Sequence, residues 1–449
     1  MVKTSYESPQ NYNRTNLSPE ELDVCPGELE IQPPTKHNGE FDWDEEMQGY
    51  VLSASAYGVL ATHMVGGRLS EIVGPKYVLG LGLLLTGLLT MLCPAAAEWS
   101  FGAFITVRVI IGITSGVIMP AVNVLVARWY PVEERQLILS AIMASAPLAT
   151  VIALSTSGIV ANDAGWPAVF YLFGFLPVFW FIPWLFLAYD SPEKHPRISE
   201  KEKNTILKSL GQQSQTPQTV PWIAILTSLP LWAYIIMTLG YSWIGSTLIS
   251  QLPTYLSRIL HFDLQKSGVV SALPFIFAPI GGVFFGLSAM KIRKSGRFSY
   301  LSSIRLFNSI SAIGSSVFIF VITLVGCDAT AITVLLILSM VAVAAYCGGS
   351  ITNHLDLGSN FAGTTSGITS TVSGVSAIIS PLIVGALTND NQTLTQWHIV
   401  FYIAICFTIF CYGFFMIFGS VEEQAWNKIG TDNNEPCKQE NISKKMEQV

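Results

Sequence analysis

Arg108 stands about seven residues into an apolar run that opens near Phe101 and continues past Asn123. At a rise of 1.5 Å per residue that is roughly 10 Å down a helix. Its planar guanidinium can hold a phosphate or carboxylate through two parallel hydrogen bonds. The other reading is a side chain that snorkels to a nearby polar surface. Ser115 and Asn123 lie in the same run, and Ser53, Tyr57, Tyr241, Ser242 and Asn353 lie in or beside other apolar runs. Each is a neutral donor that could line a cavity for an oxyanion, or simply tie two helices together. No Asp or Glu lies deep in any apolar run, so a proton relay lacks the carboxylate it would need. His63 could titrate near neutral pH, or pack at the end of its helix.

Catalytic and metal chemistry find no support. No His shares ligand spacing with a set of Cys or carboxylates, and His354 near Asp356 is too little for a metal site. There is no phosphate-binding loop, so any uphill work must draw on an ion gradient and not on ATP. No cofactor is expected. The seven cysteines are scattered, with no CxxC pair, and do not read as a disulfide framework.

The elements that position these residues follow from composition. Over the 449 residues 51% are apolar and only 12% charged, against about 25% charged in ordinary globular proteins, and mean hydropathy is +0.48. Too little polar surface remains to cover a water-facing fold, so the solvent is lipid. A net charge of −6 gives no basic stripe for nucleic acid. Eleven runs are long enough for the ~20 residues a span needs. They cover 48–67, 77–96, 102–126, 138–160, 167–189, 225–250, 268–290, 299–326, 330–350, 363–387 and 398–420. The expected organisation is a polar, acidic outer segment (1–47), a five-helix bundle (48–189), a linker (190–224), a six-helix bundle (225–420) and a tail (421–449). Eleven acidic residues and Pro33-Pro34 make the first segment a mobile one, and it lacks the pattern of a secretory signal. Gln212 to Thr219 reads as flexible linker.

Lys and Arg set the orientation. With the N-terminus outside and the C-terminus cytoplasmic, 17 of the 24 basic residues fall inside, among them Arg68, Lys76, Arg128, Arg135, Lys291, Arg293, Lys294 and Arg297. The sequons at Asn13, Asn16 and Asn391 then lie outside, open to glycosylation, and Asn441 lies inside. Trp129, Trp166 and Trp397 read as interfacial anchors. Gly66-Gly67 and Gly281-Gly282 recur near the inner ends of the first and seventh spans, a faint repeat that suggests two six-helix halves, one a helix short.

That geometry, with the loop Gly67-Arg68-Leu69-Ser70-Glu71-Ile72-Val73-Gly74-Pro75-Lys76, resembles the major facilitator superfamily; Ile72 stands where an Arg is usual. Four further segments narrow the resemblance to the anion–cation symporter family, which includes sodium-dependent phosphate cotransporters (the insect ones most of all in style), sialin and vesicular glutamate transporters. They are Phe41-Asp42-Trp43-Asp44, Arg128-Trp129-Tyr130-Pro131 with Glu134-Arg135, Tyr189-Asp190-Ser191-Pro192-Glu193-Lys194-His195-Pro196, and Asn353-His354-Leu355-Asp356. The resemblance covers about 40–425 and implies an all-α membrane fold of two helical bundles, rocking about a central anion site. It makes Arg108 the family's fourth-helix anion residue. It gives Gly67, Glu71, Gly74, Lys76, Arg128, Glu134, Arg135, Asn353 and Asp356 gating or structural roles.

Where the proton-linked members carry a Glu, seven residues after that Arg, this chain has Ser115. Ser53 and Tyr241 stand where the glutamate carriers have a His and an Arg. Glutamate transport is therefore not expected. Sodium-coupled phosphate transport is, with a proton-coupled organic-anion carrier as the alternative, in a plasma, vesicular or lysosomal membrane. The eleven spans match the family's second to twelfth. The expectation is that the family's first helix is missing and that this chain inserts but transports poorly.

Overall fold

The computed structural model describes residues 25, 40–41, 43, 45–210, 219–260, 264–388 and 393–428. Most of the acidic segment, the sequons at Asn13, Asn16 and Asn391, most of the Gln212–Thr219 stretch and the tail beyond 428 lie outside the described residues. The first bundle holds α1 (Glu45–Ile72), α2 (Pro75–Trp99), α3 (Phe101–Gly116), α4 (Ile118–Trp129), α5 (Val132–Ala164) and α6 (Trp166–Leu187). Two linker helices follow, α7 (Glu200–Leu210) and α8 (Trp222–Leu226). The second bundle holds α9 (Leu229–Arg258), α10 (Leu264–Lys294), α11 (Tyr300–Ser309), α12 (Ser315–Val325), α13 (Ala329–Val343), α14 (Asn353–Leu357), α15 (Ala362–Gly374), α16 (Ser376–Thr388) and α17 (Leu394–Phe418).

Local chemistry sets the breaks. Ser100 caps α3 by accepting from the Ala103 amide, and Asp328 caps α13 by accepting from Thr330 and Ala331. Gly74 and Gly165 turn the chain at φ +114° and +81°, a region that L side chains avoid. Lipid-facing surface explains the apolar exteriors: on α6 only Gly174 is buried, while Phe175, Phe179, Ile182 and Phe186 are exposed. Nine helical runs among the described residues are long and apolar enough to cross a membrane. The other two expected spans are present as α1 and α9, of 28 and 30 residues. Their Ser, Thr, Tyr and Gly content dilutes the apolar signal.

Small residues bring helices close. A Cβ on Gly58, Gly112 or Gly116 would strike backbone across the α1–α3 contact, and Gly87 and Gly174 play the same part between α2 and α6. The two glycine pairs occupy related places. Gly67 of α1 meets Gly363 of α15, and Gly282 of α10 lies against Ala144 of α5, so each pair sits on a helix that crosses between bundles.

Two expectations are corrected. Cys25 and Cys327, 302 positions apart in sequence, form a disulfide that ties the acidic segment to the loop between α12 and α13. Spacing could not reveal it, because a bridge depends on where the Cα atoms meet in space. Trp397 is no interfacial anchor: it is 1% exposed and packs on Tyr255 and Phe401 in the second bundle's core.

Candidate functional site

Arg108 lies on α3, half-buried, against α1. Its Nε donates a long, 3.4 Å hydrogen bond to the Val51 carbonyl, and it is within electrostatic reach of Cys93 on α2. It makes no ion pair with any described residue. Among the described residues, this one weak backbone bond leaves most of the guanidinium's five N–H donors for another acceptor.

The neutral donors divide. Ser53 and Ser115 return their hydroxyls to their own helices, at the Gly49 and Gly112 carbonyls. Tyr57 is exposed on α1, and Tyr241 is stacked on Tyr346 inside the second bundle, centroids 4.2 Å apart. Asn123 is buried and donates to Ser366 across the bundle boundary at 2.7 Å, so it belongs to a seal between the bundles. His63 is tied to the Gly116 carbonyl at 2.8 Å.

That seal gathers at the end bearing the basic loops. In the α1–α15 crossing, Glu71 accepts from the Thr364 amide at 2.6 Å and its hydroxyl at 2.8 Å, and pairs with Arg68 at 2.9 Å. Burial pushes the Glu71 carboxyl up, and the Thr364 and Arg68 hydrogen bonds pull it back towards the ionised form. Arg128 donates to the Glu71 carbonyl, and Asp190 accepts from the Lys76 amide beside Gly74. Lys76 places its ammonium over the Tyr189 ring. Where α5 packs on the 344–352 segment that follows α13, Gln136 and Ser140 donate to the Cys347 carbonyl, and Thr352 donates to Gln136. Arg135, 2% exposed, closes α4 through the Ala127 and Tyr130 carbonyls. Glu134 sits in the first turn of α5, where a carboxylate suits the helix dipole.

Behind this α5 contact Asp356 accepts from Tyr300 at 2.7 Å, and Asn353 donates to the Ser420 carbonyl. Burial pushes the Asp356 carboxyl up to about 6, against the pull of Tyr300, Arg293 and Arg135. His354 stacks on Tyr234 with both ring nitrogens buried and unpartnered, and burial with nearby Arg135 pushes it down to about 3. It is therefore a neutral packing residue. Sequence reasoning missed Gln136, Ser140, Thr364 and Ser366, which carry no signal until two distant helices meet.

Gly67 offers a direct test of the seal. A Cβ there would collide with the Gly363 carbonyl, whereas one on Gly102 would meet nothing within 4 Å. Gly67→Val should cost on the order of 1–3 kcal/mol in overpacking and part the bundles at this end, and Gly102→Ala should not. Pulsed electron–electron resonance between labels on the two bundles would read the difference.

Comparison with known proteins follows the same lines. The sequence model of the Major Facilitator Superfamily matches residues 31–381. Human sialin is 38% identical over 386 residues, 86% of this chain and 78% of its own length. A Drosophila ananassae protein named as an inorganic phosphate cotransporter is 32% identical over 95% of this chain and 90% of its own length. A solved proton:xylose symporter of the superfamily superposes with a TM-score of 0.65 at 12% identity, over 85% of this chain and 88% of its own, a likeness of fold alone.

Proposed function

The chain belongs to the major facilitator superfamily and, within it, to the anion–cation symporter family, and from that membership we propose that it carries phosphate across a membrane together with sodium. It is a multi-pass membrane transporter; the substrate, the coupling ion and the sidedness are what we infer. The observation that carries the reading is Arg108, a guanidinium within the membrane with one long backbone bond and no ion pair among the described residues. A small oxyanion can accept from the guanidinium donors that the Val51 carbonyl does not use, and no carboxylate deep in the spans offers a proton relay. The basic end is the cytoplasmic one, which makes the sealed arrangement outward-facing. The Cys25–Cys327 bridge supports this, since a stable disulfide belongs on the oxidising side.

An organic anion is the second reading, favoured by the 38% identity to human sialin. Proteoliposome uptake of radiolabelled phosphate and of sialic acid, in sodium or in choline and with or without a protonophore, separates the two. Phosphate uptake should collapse when choline replaces sodium at fixed pH. Sialic acid uptake that survives that exchange and collapses with the protonophore would overturn the sodium-phosphate reading.

A further inference from the structure

Two of the motifs that single out this chain, 128–135 and 189–196, are largely unused by the anion site, yet the fold brings them together. They meet around a cavity of about 690 Å³ between the end of α4, the start of α5, the end of α6 and the linker helix α7. That volume lies within the ~300–1,000 Å³ usual for small-molecule sites. Trp129, Tyr130, Trp184, Tyr189 and His195 supply aromatic wall. The wall is fixed. Trp129 Nε1 donates to the Tyr189 carbonyl at 2.8 Å, Trp184 Nε1 donates to the Lys76 carbonyl at 3.0 Å, and the His195 ring stands edge-on to Trp129 and Tyr189 at 5.8 and 4.7 Å.

The charges on the wall are unequal. Glu134 and Glu202 line it with one ammonium, Lys201, while the Lys76 ammonium lies over the Tyr189 ring, so the free aromatic faces are those of Trp129, Tyr130 and Trp184. Carboxylates with aromatic faces favour a cation, and a quaternary ammonium, which donates no hydrogen bonds, is the cation that aromatic cages recognise. The cavity also crosses a polarity boundary. Leu125 and Leu187 belong to spans, Leu187 being exposed on α6, whereas Ser199, Glu202 and Thr205 belong to the polar linker. An occupant must then be apolar at one end and cationic at the other, at the depth where helices leave the bilayer.

We propose that this cavity binds the choline headgroup of a phospholipid from the leaflet on the basic side, with its acyl chains running along Leu125 and Leu187. The bound lipid ties α7 to the α4–α5 turn, and the site is independent of which anion is carried.

The protein purified in detergent tests this by native mass spectrometry and by thermal shift. The titrants are dioctanoyl-phosphatidylcholine, the matching ethanolamine and glycerol lipids, and choline chloride. Phosphatidylcholine should bind at least five-fold more tightly than either other lipid, and choline alone should compete only weakly. Glu202→Lys, on the exposed face of α7 where folding is safe, should cut phosphatidylcholine affinity at least five-fold, and Trp129→Leu should do the same. Equal binding of all three lipids, or binding untouched by Glu202→Lys, would reduce the cavity to ordinary lipid contact. Tighter binding of the ethanolamine lipid would overturn the quaternary-ammonium assignment. Free choline competing as well as the lipid would overturn the lipid itself.

Discussion

Arg108→Lys should lower phosphate uptake per molecule at least about ten-fold although the charge is kept. A hydrogen bond to a charged group is worth ~1.5–3 kcal/mol, and a compact ammonium cannot reproduce both arms of the guanidinium fork. Lys also reaches less far towards the Val51 carbonyl that now holds Nε. The measurement is initial uptake normalised to protein in the membrane, beside a thermal-shift control for folding. The loss should appear in the apparent affinity for phosphate as well as in the maximal rate, since the same group both recruits and holds the anion. Unchanged uptake in the Lys variant would leave Arg108 as a side chain that merely braces α3 against α1, and the anion would need another partner.

Arg108 was legible because a charge inside an apolar run must be explained, whatever the fold. The helices were legible for the same reason of solvent: among the described residues nine helical runs are long and apolar enough to span, and α1 and α9 stand where the other two apolar runs were expected. Glu71 was found through its loop motif, but its partner Thr364 lies 293 residues away and is an ordinary threonine at the start of α15. Gln136 and Ser140 likewise gain meaning only where α5 meets the Cys347 carbonyl. Asn123 had two readings, a cavity donor or a tie between helices, and the structure shows the tie. Polarity within an apolar run marks a residue as special without saying which helix it faces, and it faces Ser366. Cys25 and Cys327 follow the same rule, since chain separation carries no information about distance in space.

Acidification on the basic side should favour the sealed arrangement, and Asp356 should be the group responsible. In the sealed state its carboxyl is held at about 6 by burial, faced by the Arg135 and Arg293 guanidiniums, the Tyr300 phenol and the Thr352 hydroxyl. His354 beside it stays neutral down to about pH 3 and does not compete. Parting of α5 from the 344–352 segment withdraws Gln136 from Thr352 and lets water reach the carboxyl, which should then fall back towards its usual 3.8. The sign follows from linkage: protons favour the state that binds them more tightly, here the sealed one. Its advantage is full below the lower value and is lost as pH rises through about 6. From pH 7.5 to 5.5 the ratio of sealed to open molecules should therefore rise about four-fold. Spin labels at the exposed residues Leu69 and Phe298, on the two bundles at this end, would report the two populations by pulsed electron–electron resonance. Asp356→Asn, permanently neutral, should keep the sealed population high at both pH values and abolish the shift. A variant that retained the full four-fold response would place the sensor elsewhere, with Glu71, whose carboxyl burial also raises, the next group to replace.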